Sequence, residues 1–261
     1  MASPIIELAG VAKTFESRAG ATEALRAISL AVEAGEFVSI IGPSGCGKSS
    51  LLRIVGDLVE PSSGTVRVNG KSARQARLDR DYGIVFQTPV LYDWRTVLQN
   101  VQLPLELAGR QRAEREQRPR ALLRLVGLDE FARHYPWQLS GGMQQRVSIA
   151  RALALNPSIL LMDEPFGALD EMTRERLNQE LLQVCAETAA TVLFVTHSIA
   201  EAVFLSSRIV VMSPRPGSIE RVVPVDLPRP RGDKTRAEPR FFELVTLVRE
   251  CLREDRARAS A

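Results

Sequence analysis

Phe37-Val38-Ser39-Ile40-Ile41-Gly42-Pro43-Ser44-Gly45-Cys46-Gly47-Lys48-Ser49-Ser50 is the stretch on which the reading of the chain turns. Its first five residues are apolar enough for a strand buried on both faces, and Ser49 to Val55 carry the apolar spacing of a helix. Between them, Gly42 to Ser49 fits the pattern G-x-x-x-x-G-K-S/T in the strand, loop, helix context that the pattern requires. Glycines there let successive backbone N–H groups converge on phosphate oxygens at the positive end of a helix dipole. Lys48 is then placed to reach the β and γ phosphates of a nucleotide, and the Ser49 hydroxyl to ligate Mg²⁺. Cys46 reads as a small packing residue rather than a reactive thiol.

On either side the pattern extends into an α/β chain. Residues 5 to 41 read as short strands broken by polar turns at Glu16 to Gly20 and Glu33 to Gly35. Further strands are expected near Thr65 to Val68 and Tyr82 to Phe86. From Thr88 to Leu155 the signal is helical, including Arg110 to Arg124 and the amphipathic run Met143 to Leu155. Strands resume at Ser158 to Met162, Thr191 to Val195 and Ile209 to Met212, with a helix over Glu171 to Glu187, an alternation that implies a parallel sheet covered on both faces. Ile159 to Glu164 is an apolar strand ending in two carboxylates, at the strand end where such sheets present ligand sites. Asp163 can serve a metal ion, and Glu164 can accept a proton from the water that attacks a γ phosphate. After Pro224, the prolines and charges of Leu227 to Pro239 read as a linker to a last helix, whose stripe is Phe241, Val245, Val248 and Leu252. That stripe is expected to dock on the body of the protein or on a second subunit.

Composition narrows the class. With 261 residues and 45% apolar and 25% charged residues, the chain can bury a large core and is not expected to be disordered. Cys46, Cys185 and Cys251 are scattered, and there are only two histidines, so neither a disulfide framework nor a structural zinc site is expected. Net charge is +3, but residues 227 to 261 hold nine basic and six acidic groups, so the body is neutral and gives little support to nucleic-acid binding. Apolar runs are strand-sized and the first ten residues lack signal-peptide order, so the chain is expected neither to span a membrane nor to be exported by its own signals.

Leu139-Ser140-Gly141-Gly142-Met143-Gln144-Gln145-Arg146 resembles the signature of ABC ATPases, at the family's distance upstream of Asp163-Glu164. In physical terms, a serine and two glycines opening a helix make a second anion site. The resemblance implies a P-loop NTPase (RecA-like) core with an antiparallel β subdomain and an inserted α-helical subdomain. Its implied division is an ATPase domain over 1–226, with core and β subdomain at 1–87 and 157–226 and helical subdomain at 88–156. A linker and accessory helix would follow over 227–261.

The same resemblance assigns roles position by position. Gly42, Pro43, Ser44, Gly45, Cys46, Gly47, Lys48, Ser49 and Ser50 would surround the phosphates of ATP, with Ser49, Gln87 and Asp163 serving Mg²⁺. Gln87 would also contact the attacking water, and His197 would hold the γ phosphate in the transition state. Ser140, Gly141, Gly142 and Gln144 would act on nucleotide held by the other subunit of a dimer, which the Ala168-Leu169-Asp170 loop would cross. Phe15 sits where the family stacks an aromatic, most often tyrosine, on adenine. His134 has no such context and reads as a surface residue.

The likeness runs from about Leu8 to Ile219 and is closest to the importers of the nitrate, sulfonate and taurine type, with pyrimidine or flavin-precursor systems related. It implies a homodimer driving transmembrane permease subunits, supplied by a solute-binding protein, at the cytoplasmic face of the membrane. Three positions depart from the family: Ser198 where Asp is usual, Ser50 for a common Thr, and Tyr92-Asp93 before Trp94 where Leu-Pro is frequent. The last touches partner identity more than chemistry. A P-loop GTPase would need a base-reading Asn/Thr-Lys-x-Asp element, which does not fit this chain. A soluble ABC ATPase acting on nucleic acid or ribosomes would be expected to carry two cassettes or a long coiled-coil insert.

Overall fold

The computed structural model describes residues 3–17 and 20–259, so Arg18 and Ala19 of the first turn lie outside the described residues. In chain order the first elements are β1 (Ile6–Ser17), β2 (Gly20–Val32), β3 (Phe37–Ile41), α1 (Lys48–Val55), β4 (Ser63–Val68), β5 (Lys71–Ser72) and α2 (Ala73–Asp79). Then come β6 (Tyr82–Val85), α3 (Val97–Leu107), α4 (Arg112–Leu125), α5 (Gly141–Ala152), β7 (Ile159–Asp163) and α6 (Glu171–Thr188). The last are β8 (Thr191–Val195), α7 (Ile199–Leu205), β9 (Arg208–Met212), β10 (Ile219–Pro224), α8 (Asp233–Arg236) and α9 (Pro239–Ala259). They form two compact units, 1–81 with 191–261, and 82–190. The helical stretch 88–156 falls wholly in the second, which also takes in β6, β7 and α6.

In the first unit, β2, β1, β4 and β5 form an antiparallel sheet, and β10, β9, β3 and β8 lie side by side. β3 is buried along its whole length and pairs in parallel with both β8 and β9, as its continuous apolar run requires. The short strands expected over residues 5–41 are instead, ahead of β3, one long hairpin, with strands of 12 and 13 residues. Register shifts between Leu8 and Val11 and between Lys13 and Thr14 absorb the breaks in alternation, so pairing continues through them from Ile6 opposite Val32 to Ser17 opposite Gly20.

The segment after Pro224 is not a free linker. Leu227, Arg231 and Thr235 are buried. The Arg231 guanidinium donates to the carbonyls of Val203, Phe204 and Ser206 at 3.3, 2.9 and 2.8 Å, closing the C-terminal end of α7. Burial pulls its pKa down to about 10, which leaves it charged at neutral pH. Arg236 lies 4.0 Å over the Phe204 ring. α9 then packs on α7, β9 and β10 of its own unit. Among the described residues its buried positions are Phe241, Leu244, Val248 and Cys251, while Val245 and Leu252 sit half-buried on the flank of that stripe.

In the second unit β6 and β7 pair in parallel, Tyr82 opposite Ile159 through Val85 opposite Met162. A Cβ at Gly83 would stand 2.3 Å from the Ala152 carbonyl, so only glycine lets the end of α5 approach β6 this closely. α3 opens on a capping box, with Gln99 N–H on Thr96 Oγ1 and Thr96 N–H on Gln99 Oε1. His134 is half-buried beside Phe131, with ring centroids 5.2 Å apart, rather than on the surface. Its carbonyl accepts the Val97 N–H at the start of α3, which draws it inward.

Candidate nucleotide site

The first unit carries the glycine-rich loop between β3 and α1. Gly47 is the N-cap of α1 at φ +105°, and it offers no side chain to cap the helix, whose start carries the positive end of the helix dipole. At Gly47 a Cβ would meet Leu25 Cδ2 at 2.6 Å, and at Gly42 it would meet Cys46 Sγ and the Met212 carbonyl at 2.9 Å. Both glycines are required by close approach of neighbouring chain. Lys48 is 4% exposed, and its ammonium donates to the carbonyls of Gly42 at 2.9 Å and Pro43 at 3.0 Å. A buried cation is thus held inside the loop by backbone oxygens. Ser44 and Gly45 are exposed, while Pro43, Gly47, Ser49 and Ser50 are intermediate. Cys46 is buried, and burial pushes its thiol pKa up, which fits the packing role read from the sequence.

His197 is exposed directly beyond β8. The turn that carries it is braced by Thr196, whose hydroxyl bonds the buried Glu201 carboxylate and accepts the Ser198 N–H at 3.0 Å. Ser198 is the N-cap of α7 and accepts the Glu201 N–H at 3.3 Å. Serine and aspartate are both good N-caps, so this departure from the family leaves the turn intact. Phe15 lies on β1, 41% exposed, with the Lys13 ammonium 5.1 Å from its ring centroid. A partly exposed aromatic ring on a paired strand can stack on a planar base.

In the second unit β7 ends at Asp163, 6% exposed, and Glu164 follows at φ +47°, a left-handed conformation that costs a non-glycine residue energy. Gln87 lies just past β6. A Cβ at Gly167 would sit 3.7 Å from Gln87 Nε2 and 3.8 Å from Glu164 Cβ, so Gln87 and Glu164 flank one point beyond the two strand ends. At the start of α5, Ser140 is the N-cap and accepts the Met143 N–H at 3.3 Å; Ser140 and Gly141 are exposed and Gly142 is buried. The Leu169 side chain reaches 3.8 Å from where a Gly141 Cβ would stand, and Thr173 Cγ2 3.2 Å from a Gly142 Cβ. The start of α5 and the loop 168–170 are therefore neighbours. Asp170 caps α6 by accepting the Thr173 N–H at 3.0 Å, and that bond holds its carboxyl below the usual range.

Gln144 and Gln145 sit in different surroundings. Gln144 Nε2 donates to the carbonyls of Pro136 at 3.0 Å and Leu139 at 3.3 Å, so its amide holds the turn leading into Ser140. Gln145 is buried and donates to the Phe86 carbonyl at 3.0 Å, tying α5 to the residue before Gln87. Its spacing from Gly142 and Ile149 places it on the buried face of α5, the signal that could have found it.

A glycine-rich loop with an inward lysine, an uncapped helix start behind it and carboxylates at a strand end define a P-loop nucleotide-binding protein. The chain matches the family model for "ABC transporter" over residues 25–167, and it belongs to that family. It is 47% identical to the taurine import ATP-binding protein TauB of Rhizobium johnstonii over 244 residues, 91% of this chain and 92% of that one. To the nitrate import ATP-binding protein NrtD of Synechocystis it is 42% identical over 254 residues, 95% of each chain. Among solved structures it is similar to the dimeric structure of MJ0796, a bacterial ABC transporter cassette, with TM-score 0.75 and 40% identity over 87% of this chain and 99% of that one. The fold is accordingly the ABC cassette fold and the chain an ABC ATPase. Among the described residues no helix is long and apolar enough to cross a membrane.

Proposed function

We propose that this chain powers the import of a small solute, of the nitrate, sulfonate or taurine kind or a pyrimidine or flavin precursor. It works as a homodimer on membrane-spanning permease subunits, at the cytoplasmic face of the membrane, with a solute-binding protein supplying the solute to those permeases. The observation that carries this reading is identity above 40% along nearly the whole chain to two subunits named for taurine and nitrate import. The exposed aromatics of the second unit support the permease contact. Trp94 is 73% exposed on a turn that Asn100 ties down through the Tyr92 N–H at 2.8 Å and the Tyr92 carbonyl at 3.1 Å. A fixed, exposed indole is a good anchor for a partner helix, and we assign this contact to the helical subdomain 88–156.

Mg²⁺ suits the donors this chain offers. Among the described residues no group of three or more His, Cys, Asp and Glu side chains is gathered around one point. What is available is hard oxygen: the Ser49 hydroxyl, the Gln87 amide and the Asp163 carboxylate. That set matches an ion that keeps several waters and takes the rest of its ligands from phosphate. When bound, Mg²⁺ neutralises charge on the β and γ phosphate oxygens.

The chain's own groups do the remainder. Backbone N–H groups of the glycine-rich loop and the start of α1 bind the phosphates, and Lys48 leaves its loop carbonyls to pair with β and γ oxygens. Phe15 stacks on the adenine. Gln87 orients a water, Glu164 takes its proton as its oxygen attacks the γ phosphorus, and the bond to the β–γ bridging oxygen breaks toward ADP. His197 donates to the γ phosphate as charge develops there. Ser140 and the N–H groups of Gly141 and Gly142 close on the nucleotide of the other subunit, so one chain serves two sites. The test is uptake by cells carrying the complete system with Lys48→Ala in this subunit. Uptake of the solute that binds the accompanying binding protein should stop; undiminished uptake would overturn the assignment.

A further inference from the structure

The turn Ser213 to Ser218, between β9 and β10, touches the glycine-rich loop of its own unit at two places. Ser213 N–H donates to the Ser218 carbonyl at 3.0 Å, and Ser218 N–H donates to Ser213 Oγ at 2.8 Å, so the turn is closed on itself. It is also fixed to β2: Gly217 N–H donates to the Ala24 carbonyl and Arg26 N–H to the Gly217 carbonyl, both at 2.9 Å. Gly217 then lies directly on the loop, because a Cβ there would stand only 2.0 Å from the Cys46 carbonyl oxygen. From this rigid base Arg215 reaches out, and its Nε and Nη2 both donate to the Gly45 carbonyl, at 3.1 and 3.0 Å.

That carbonyl belongs to the peptide between Gly45 and Cys46. The same peptide's N–H, on Cys46, donates to the Pro43 carbonyl at 3.3 Å. Gly45 stands at φ +75°, in a region that glycine enters and leaves with no side-chain penalty, so beyond that one long bond the backbone does not hold this peptide in one orientation. Two cations therefore hold the loop in different ways. Lys48 binds the carbonyls of Gly42 and Pro43, bonds it must give up to reach a phosphate. Arg215 binds the carbonyl of Gly45, and nothing in phosphate binding requires it to let go.

We propose that Arg215 is a positioning residue of the nucleotide site, holding the Gly45–Cys46 peptide so that the loop keeps its anion-binding shape when Lys48 turns to the phosphates. The inference rests on the reading of residues 42–49 as the MgATP site. A preset loop pays less to order itself around ligand, so the effect falls on affinity rather than on the chemical step. Because the contact is to loop backbone, MgATP and MgADP should be affected alike.

The test compares Arg215→Ala, Arg215→Lys and Lys48→Ala in the full chain, by titration with MgATP and MgADP and by steady-state hydrolysis. Arg215→Ala should weaken both nucleotides and raise KM roughly tenfold, the scale of a lost charge-assisted hydrogen bond, with kcat within about twofold. Arg215→Lys, which returns one donor, should recover part of the loss. A merely structural arginine would lower the melting temperature of the nucleotide-free chain without this split between KM and kcat; if Arg215→Ala does so, the affinities of Arg215→Lys decide. Native affinity in both Arg215 variants, with binding lost in Lys48→Ala, overturns this inference alone. Native binding by Lys48→Ala overturns the reading of the loop itself.

Discussion

Two helix starts in this chain use the same kinds of residue and are finished in opposite ways. At α1 the cap is Gly47, which has no side chain to satisfy the first turn, and Lys48 is folded inside the loop against Gly42 and Pro43. At α5 the cap is Ser140, whose hydroxyl takes the Met143 N–H, and Ser140 and Gly141 face solvent with no lysine behind them. An uncapped start with an internal cation can hold a polyphosphate by itself. A self-capped, exposed start has only N–H groups and a hydroxyl to offer, enough to complete a site whose charge is balanced elsewhere. The difference fits one end that binds nucleotide and another that closes over nucleotide bound by a partner.

Substitutions that separate binding, chemistry and closure would sharpen or break this contrast. The largest effect is expected from Glu164→Gln, which keeps shape but cannot accept a proton; hydrolysis should slow by roughly 10² to 10⁴ while MgATP affinity stays native. Phosphate-release kinetics beside a binding titration read both. Lys48→Ala strikes the α1 end and should lower hydrolysis by roughly 10² to 10³. Unlike the glutamate variant, it should lose MgATP affinity as well, visible in the same titration. Ser140→Arg places a bulky cation at the α5 start; hydrolysis should fall roughly tenfold or more while MgATP binding to the monomer is unchanged. Weakened monomer binding in that variant would mean that both helix starts act on one chain's nucleotide. Smallest is Ser140→Ala, which removes a cap and should cost about 1 kcal/mol in denaturant unfolding.

Where local chemistry alone determines structure, the sequence was legible. β3 and β8 run as their apolar stretches indicate, and α1 begins at the lysine of the glycine pattern, because each of these signals is complete within a dozen residues. The tail was harder. Phe241, Val245, Val248, Leu252 and Phe241, Leu244, Val248, Cys251 are both helical stripes, and only docking on α7 and the β9–β10 pair selects the second. Arg231 looked like one charge in a proline-rich linker, since an arginine is seldom buried unless carbonyls await it. Those carbonyls are at the end of α7, more than twenty residues upstream, where sequence spacing gives no hint of them. At the site, Gln87 and Glu164 are far apart in sequence, and their meeting beside Gly167 depends on the pairing of β6 with β7.

The central claim is that nucleotide bound at the α1 end is covered by the α5 end of a second copy. Sedimentation velocity on Glu164→Gln with MgATP, beside the double variant Glu164→Gln/Ser140→Arg, tests it most directly. The account predicts a dimer for the first, and for the second a monomer that still carries ATP. Equal dimerisation of the two would contradict it.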